Sequence, residues 1–301
     1  MFDITIIGSG VAGMTVALYA LRSEKKVLIL ERENYGGQIA KSPKVENYPT
    51  IKSISGYELS DKMYDQIIDL GVTFELEEVQ KLEKTGNIFK ITTDYNTYES
   101  KSVVIANGVK PRMLGLENEE KFLGKGISYC AICDGPFFKG KDVVLVGDGN
   151  SAMQYAIMLA GFCKKVTMVT MFDKFFGEKS LEDTIRANKK IEIIPNAVAT
   201  KLNGGDVLES VEFTKTDGTK FTINTPAMFV AIGQVADNEM FKDLVELDKA
   251  GYIVADESCR TKTEGLFVAG DCRTKTIRQV ATAVGDGAVA GTQAVNYVNS
   301  L

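Results

Sequence analysis

The sequence predicts an α/β fold of two Rossmann-like, three-layer domains. Two glycine-rich turns carry that prediction, each set between a short apolar strand and a helix: Gly8-Ser9-Gly10-Val11-Ala12-Gly13 and Gly147-Asp148-Gly149-Asn150-Ser151-Ala152. A third observation supports it. The strand-to-glycine pattern of Val103 to Gly108 recurs at Met228 to Gly233, so the repeat lies at the level of whole domains.

The elements follow in order. Residues 2–7 read as an apolar strand, residues 8–13 as the turn, and Met14 to Leu21 as an apolar helix. Val27-Leu28-Ile29-Leu30 is a second buried strand that ends on Glu31. This is a βαβ unit with a dinucleotide-binding pattern. Gly8, Gly10, Ala12 and Gly13 let the backbone approach a pyrophosphate at the helix N-terminus, where free N–H groups favour an anion. Glu31 is placed to accept hydrogen bonds from an adenosine ribose. Residues 102–108 form a buried strand closing in a turn at Gly108. Val143 to Val146, a helix from about Ser151 to Ala160, and Val166 to Val169 repeat the unit. Gly265 to Asp271 is a strand ending on Gly-Asp, and Ala281 to Tyr297 reads as a helix rich in small residues.

Composition narrows the function. The 301 residues are enough for two domains of ordinary size. With 45% hydrophobic and 25% charged residues and a formal net charge of −5, the chain reads as a globular protein that binds no nucleic acid. No signal-peptide pattern opens it, and no apolar run approaches the roughly 20 residues that span a bilayer. The expected compartment is the cytoplasm, with no membrane partner. The absence of histidine removes the usual general base and the commonest zinc ligand. Proton transfer must use a carboxylate, thiol, tyrosine, lysine, water or a cofactor.

Cys130-Ala131-Ile132-Cys133-Asp134 is the redox candidate. Cysteines so spaced can close a disulfide, and one thiol of such a pair often has a depressed pKa. Asp134 is the best-placed group to carry a proton to or from a leaving thiol. The bland alternative is half of a zinc site. It has no histidine to complete it, and Cys163, Cys259 and Cys272 are scattered singly. These three read as core residues, and no metal is expected.

Taken together, these motifs resemble the two-domain flavoprotein disulfide reductases, and most closely the low-molecular-weight thioredoxin reductases, over essentially the whole chain. Gly8 to Gly13 with Glu31 looks like the FAD adenosine site. Gly36-Gly37-Gln38 and Val45-Glu46-Asn47-Tyr48-Pro49 look like flavin-facing loops, although Gln38 and Asn47 alone are also ordinary loop residues. Gly270-Asp271 with Arg278-Gln279-Val280 is similar to the C-terminal FAD segment, where Asp271 could otherwise be a turn residue. The resemblance implies a discontinuous FAD-binding domain of residues 1–113 and 239–301, with an inserted redox-disulfide, NAD(P)-binding-like domain at 114–238. It also implies a homodimer, thioredoxin as partner, Cys130 as the attacking thiol, Cys133 as the flavin-facing thiol and Asp134 as acid–base group.

The second glycine turn departs from that pattern. Asp148 stands between its glycines, where an inward carboxylate repels a pyrophosphate. NADPH-using relatives carry His-Arg-Arg and a further Arg at the place where this chain has Thr170, Met171, Phe172 and Phe176. Arginine replaced by phenylalanine removes bidentate phosphate binding. In this the chain resembles the ferredoxin-dependent flavin thioredoxin reductases, which implies reduced ferredoxin as donor. Phe172, Phe175 and Phe176 then either fill the vacated nucleotide groove or form a protein-contact surface, and packing is the expected use. Three other readings stand beside this one: an NADH- or NADPH-dependent thioredoxin reductase in which Asp173 or Lys174 reads the ribose, a non-catalytic flavin redox sensor, and a dithiol serving a small-molecule disulfide.

Overall fold

A computed structural model of the chain describes residues 1–42 and 45–301. The chain divides into two compact units. One comprises Met1–Lys110 with Val235–Leu301, the other Pro111–Gln234. Each crossing falls three or four residues before the expected boundary. The return crossing is early because Asp237 and Asn238 serve the first unit: Asn107 Nδ2 donates to Asp237 O at 3.0 Å and to Asn238 Oδ1 at 3.1 Å.

The first unit is built on a seven-stranded sheet. Thr73–Leu76, Val27–Glu31, Phe2–Ile7 and Thr97–Ile105 run parallel in that order, and Leu266–Val268 adds parallel to the second half of Thr97–Ile105. The hairpin Val79–Thr85 and Ile88–Thr93 pairs antiparallel with its first half. Alternation in the strands decides which core each residue joins. Ile4, Ile6, Val27, Ile29 and Val104 pack under the helices Val11–Arg22 and Val280–Asn299. Ile7, Leu28, Leu30, Val103 and Ile105 face the opposite core with Phe89, Ile91 and Phe241. The first helix begins at Val11, earlier than expected, with Gly10 as its N-cap. Ala12 and Gly13 therefore belong to the helix rather than to the turn.

The second unit repeats this logic on a smaller sheet. Its five strands, Ile191–Ile194, Lys165–Val169, Asp142–Val146, Met228–Val230 and Ile127–Ser128, are all parallel. Val143, Leu145, Val166 and Met168 meet the helix Asn150–Phe162 on one face. Val144, Val146, Val169 and Val230 meet the antiparallel meander Ala197–Asn203, Ser210–Lys215 and Lys220–Asn224 on the other. Both units are α/β sheets buried on two faces, with helices on one. The other is covered by the separate meander in the second unit, and in the first by a core that the hairpin shares with Phe241, Val245 and Ile253. Among the described residues, no helix is long and apolar enough to cross a membrane.

Candidate functional site

In the first unit the three glycines of the N-terminal turn do three different things. Gly8, at φ +103°, turns the chain where a Cβ would lie 2.5 Å from Ala106 O. A Cβ on Gly13 would lie 2.0 Å from Gly8 O, so only glycine lets the helix sit so close. A Cβ on Gly10 would meet nothing within 4 Å. Its face is open, as close approach of a pyrophosphate requires. The first turn of the helix has no side-chain cap, which leaves its N–H groups for an anion.

Glu31 closes the strand beside this turn. Its Oε2 accepts Ser9 N at 2.8 Å and Ser9 Oγ at 2.9 Å, while Oε1 accepts Arg32 N at 2.9 Å and Glu33 N at 3.1 Å. The carboxylate expected to hold a ribose thus also ties the glycine turn to the strand end. Gly36 N donates to Ser9 O at 3.0 Å, and a Cβ on Gly37 would lie 3.2 Å from Gly10 Cα. The Gly36–Gly37 loop therefore lies against the open glycine. Gln38 Nε2 donates to Val109 O at 3.3 Å, just beyond Gly108. Asn47 Nδ2 donates to Gln279 Oε1 at 3.1 Å, joining residues 232 apart. Gln279 is the N-cap of the C-terminal helix, which starts at Val280.

Asp271 lies half-buried at the end of the strand Leu266–Val268 and its Gly270 turn. Burial pushes its carboxyl above the ordinary value, with the charges of Lys275 and Arg278 acting against that rise. Its Oδ1 is buried and has no hydrogen-bond partner among the described residues. Asn107 Oδ1 is in the same condition. Arg278 donates from Nε to Asp271 O at 3.2 Å and lies over the Tyr252 ring at 4.0 Å. An open glycine, a free helix N-terminus and two orphaned buried oxygens are the features a large polar dinucleotide would satisfy. The donor set fits FAD, the cofactor expected from the sequence. Asn107 and Asn238 were not singled out from the sequence. The one signal is for Asn107, which stands two residues beyond the buried strand Thr97–Ile105 and directly before Gly108.

The redox residues lie in the second unit. Cys130 and Cys133 are joined as a disulfide at the head of the short helix Ala131–Asp134. Cys130 N donates to Ser128 Oγ at 3.0 Å, and Ser128 Oγ donates to Cys130 O at 3.2 Å. Cys133 N points at Cys130 Sγ from 3.2 Å. Cys133 is exposed, whereas Cys130 and Asp134 are half-buried. Gly135 follows because a Cβ there would strike Phe162 at 2.9 Å and Leu159 at 3.0 Å. Tyr129, just before the pair, donates its hydroxyl to Glu119. Glu119, only 3% exposed, also accepts the N–H groups of Leu114 and Gly115 at 2.8 and 2.7 Å. Cys163, Cys259 and Cys272 are buried. Among the described residues, no group of three or more metal-ligating side chains comes together.

The second glycine turn keeps its backbone form. Gly147, at φ +144°, would meet Ala231 O at 2.2 Å through a Cβ. Burial pushes the Asp148 carboxyl up from its ordinary value. Phe176 N donates to Asp148 O at 2.8 Å, and Phe176 bridges to Gly149. This places Phe176 beside the turn. The expectation that all three phenylalanines pack is corrected in part. Phe175 joins the unit's core, but Phe172 and Phe176 are 44% and 52% exposed and touch each other edge-on at 5.4 Å. The Phe176 N–H and its bridge to Gly149 hold this end of the segment beside the glycine turn, and Phe172 meets the Phe176 ring there. Lys174 Nζ lies over the Phe176 ring at 4.9 Å.

These features define a class: an oxidoreductase with a dinucleotide cradle in one unit and a redox disulfide in the other. The family model described as pyridine nucleotide-disulphide oxidoreductase matches residues 2–287, and the chain belongs to that family. It is 37% identical to a thioredoxin reductase of Peptoclostridium acidaminophilum, over 100% of this chain and 98% of the relative. The crystal structure of Lactococcus lactis thioredoxin reductase is similar at a TM-score of 0.96, with 37% identity and full coverage of both chains. A ferredoxin-flavin thioredoxin reductase of Clostridium acetobutylicum is similar at a TM-score of 0.55 and 30% identity, covering 100% of this chain and 99% of the other.

Proposed function

We propose that the protein is an FAD-dependent thioredoxin-disulfide reductase working through Cys130 and Cys133. The observation that carries this reading is the Cys130–Cys133 disulfide at a helix start in one unit, with an intact dinucleotide cradle in the other. Gly8, Gly10, Ala12, Gly13, Glu31, Gly37, Gln38, Asn47, Gly108, Asp271, Arg278, Gln279 and Val280 would hold FAD. When bound, FAD takes electrons singly or in pairs and delivers two to a disulfide.

The protein's own residues carry the thiol chemistry. Once the pair is reduced, the Cys133 N–H that faces Cys130 Sγ favours a thiolate there. The Cys130 thiolate attacks the thioredoxin disulfide, forming a mixed disulfide and releasing one thioredoxin thiolate, which takes a proton. Cys133 then attacks Cys130 Sγ, expels the second thioredoxin thiolate and restores the Cys130–Cys133 disulfide. Two electrons and two protons have passed to thioredoxin. Asp134 supplies and collects protons within this cycle.

Overall similarity favours a pyridine nucleotide as electron donor: the relatives named thioredoxin reductase stand at 37% identity, against 30% for the ferredoxin-flavin enzyme. One observation favours reduced ferredoxin instead. Thr170, Met171, Phe172 and Phe176 give the ribose end of the second turn no arginine, and Asp148 sits at its centre. Anaerobic flavin absorbance during separate additions of NADPH, NADH and reduced ferredoxin decides between them. Bleaching by a nucleotide, followed by reoxidation with thioredoxin, establishes the nucleotide route. Bleaching by ferredoxin alone establishes the other. Failure of thioredoxin to reoxidise the reduced flavin removes the proposed function. The expected homodimer is part of the same proposal, with size-exclusion chromatography as its test.

A further inference from the structure

Asp286 belongs to none of the motifs that carry the redox chemistry, yet it is only 7% exposed. Its carboxylate gathers the loop that follows Leu266–Val268. Oδ2 accepts Gly270 N at 2.9 Å, Arg273 Nε at 2.7 Å and Lys275 Nζ at 2.8 Å, and Oδ1 accepts Arg273 Nη2 at 2.7 Å. The Arg273 and Lys275 side chains are 6% and 7% exposed. Two cations therefore share one carboxylate away from water. Buried charge is tolerated only where it is paired and hydrogen-bonded, so this arrangement is specific and costly to break on one side.

The location of this carboxylate gives it a task. Gly270 directly precedes Asp271, whose Oδ1 is buried and unpartnered among the described residues. Arg278 hangs from the same loop, donating to Asp271 O and, from Nη2, to Arg273 O at 3.3 Å. The next residue after Asp286 seats the helix Val280–Asn299 on the helix Val11–Arg22: a Cβ on Gly287 would lie 2.6 Å from both Ala12 O and Thr15 Cβ. A Cβ on Gly270 would lie 2.8 Å from Ala12 Cβ. Asp286 thus stands where the loop, the C-terminal helix and the glycine-turn helix meet.

We propose that Asp286 is a positioning residue for the flavin cradle: by holding Gly270 N–H, Arg273 and Lys275 together, it fixes the loop that presents Asp271 and Arg278 to the cofactor. This rests on the FAD reading of the first unit. It acts through Asp271 and Arg278 and makes no contact with the redox disulfide's chemistry.

The test uses the full chain. FAD affinity is measured by quenching of FAD fluorescence on titration with apoprotein, beside the bound flavin's absorbance envelope and the thermal midpoint of each variant. Asp286→Asn is expected to weaken FAD binding on the order of tenfold, the lower end of what losing an outer supporting partner costs at metal sites. A companion variant, Arg273→Met with Lys275→Met and Asp286→Asn, leaves no buried unpaired charge. It is expected to regain the thermal midpoint but not the FAD affinity or the wild-type absorbance envelope. If the triple variant regains all three, Asp286 serves stability alone and the proposal fails. It fails equally if Asp286→Asn binds FAD as tightly as wild type. A wild-type chain that takes up no FAD would remove the flavin reading and this role together, which is a distinguishable result.

Discussion

At the scale of single residues, the two cysteines differ in a way that fixes their expected variants. Cys130 is half-buried and faced by a backbone N–H, whereas Cys133 is exposed. Cys133→Ser leaves Cys130 able to attack but nothing to resolve the product. It is expected to trap a mixed disulfide with thioredoxin, visible by intact-protein mass spectrometry. Turnover should fall by about a thousandfold or more, since the two thiols act as a unit. A trap that forms with Cys130→Ser instead would assign the attack to Cys133. Phe172 and Phe176 offer a second test, because both are exposed at the ribose end of the second turn. Installing Phe172→Arg with Phe176→Arg adds two bidentate phosphate donors. NADPH affinity is expected to rise about tenfold or more, with NADH affinity changed much less. Equal gains for both nucleotides would show that this face does not read the 2′-phosphate.

At the scale of elements, the first helix and its turn separate folding from binding. Gly13→Ala drives a methyl to 2.0 Å from Gly8 O. It is expected to destabilise the protein by about 1–3 kcal/mol and to loosen the cradle with it. Gly10→Ala meets nothing within 4 Å. It is expected to leave the thermal midpoint of the apoprotein unchanged while weakening FAD binding, because only a ligand occupies that space. Thermal unfolding of both apoproteins, beside FAD titration, checks the pair. Equal losses of stability would refute the division of labour between the two glycines.

At the scale of the whole molecule, the inserted unit carries its own two cores, one on each face of a parallel sheet. Residues 111–234 expressed alone are therefore expected to fold cooperatively and to retain the Cys130–Cys133 disulfide. Circular dichroism during heating and thiol counting test this, and a featureless melt would contradict it. The first unit holds two buried carboxylates whose state depends on pH. Burial pushes Glu77 and Asp286 up. Hydrogen bonds from Thr93, Asn96 and Tyr98 to the former, and from Arg273 and Lys275 to the latter, outweigh it and hold both below the ordinary values of 4.5 and 3.8. A depressed folded-state pKa stabilises the fold above the unfolded value and loses that contribution as pH falls through the folded one. Urea unfolding from pH 6 downward should thus show stability falling below about pH 4.5, with a smaller fall in Glu77→Gln. An identical fall in that variant would remove Glu77 from the account.

The sequence by itself determined the α/β class, the first glycine turn and the redox pair. Each is a local pattern: a strand, a glycine spacing and a helix, or two cysteines three positions apart, all readable without distant partners. Tertiary structure decided what depends on residues far apart in the chain. Glu31 is placed beside the turn in the sequence, but its grip on Ser9 appears only once the strand is laid down parallel to Phe2–Ile7. Asn47 meets Gln279 because the chain returns to the first sheet after the inserted unit, and Asp286 meets Arg273 and Lys275 because the loop after Leu266–Val268 folds back onto the C-terminal helix. Packing is the use the sequence suggests for Phe172 and Phe176, yet both stand exposed, edge-on to each other, with Phe176 bridged to Gly149 of the second turn. A side chain's polarity and its neighbours in sequence set its local conformation; its partners are set by which backbone segments the sheet brings alongside.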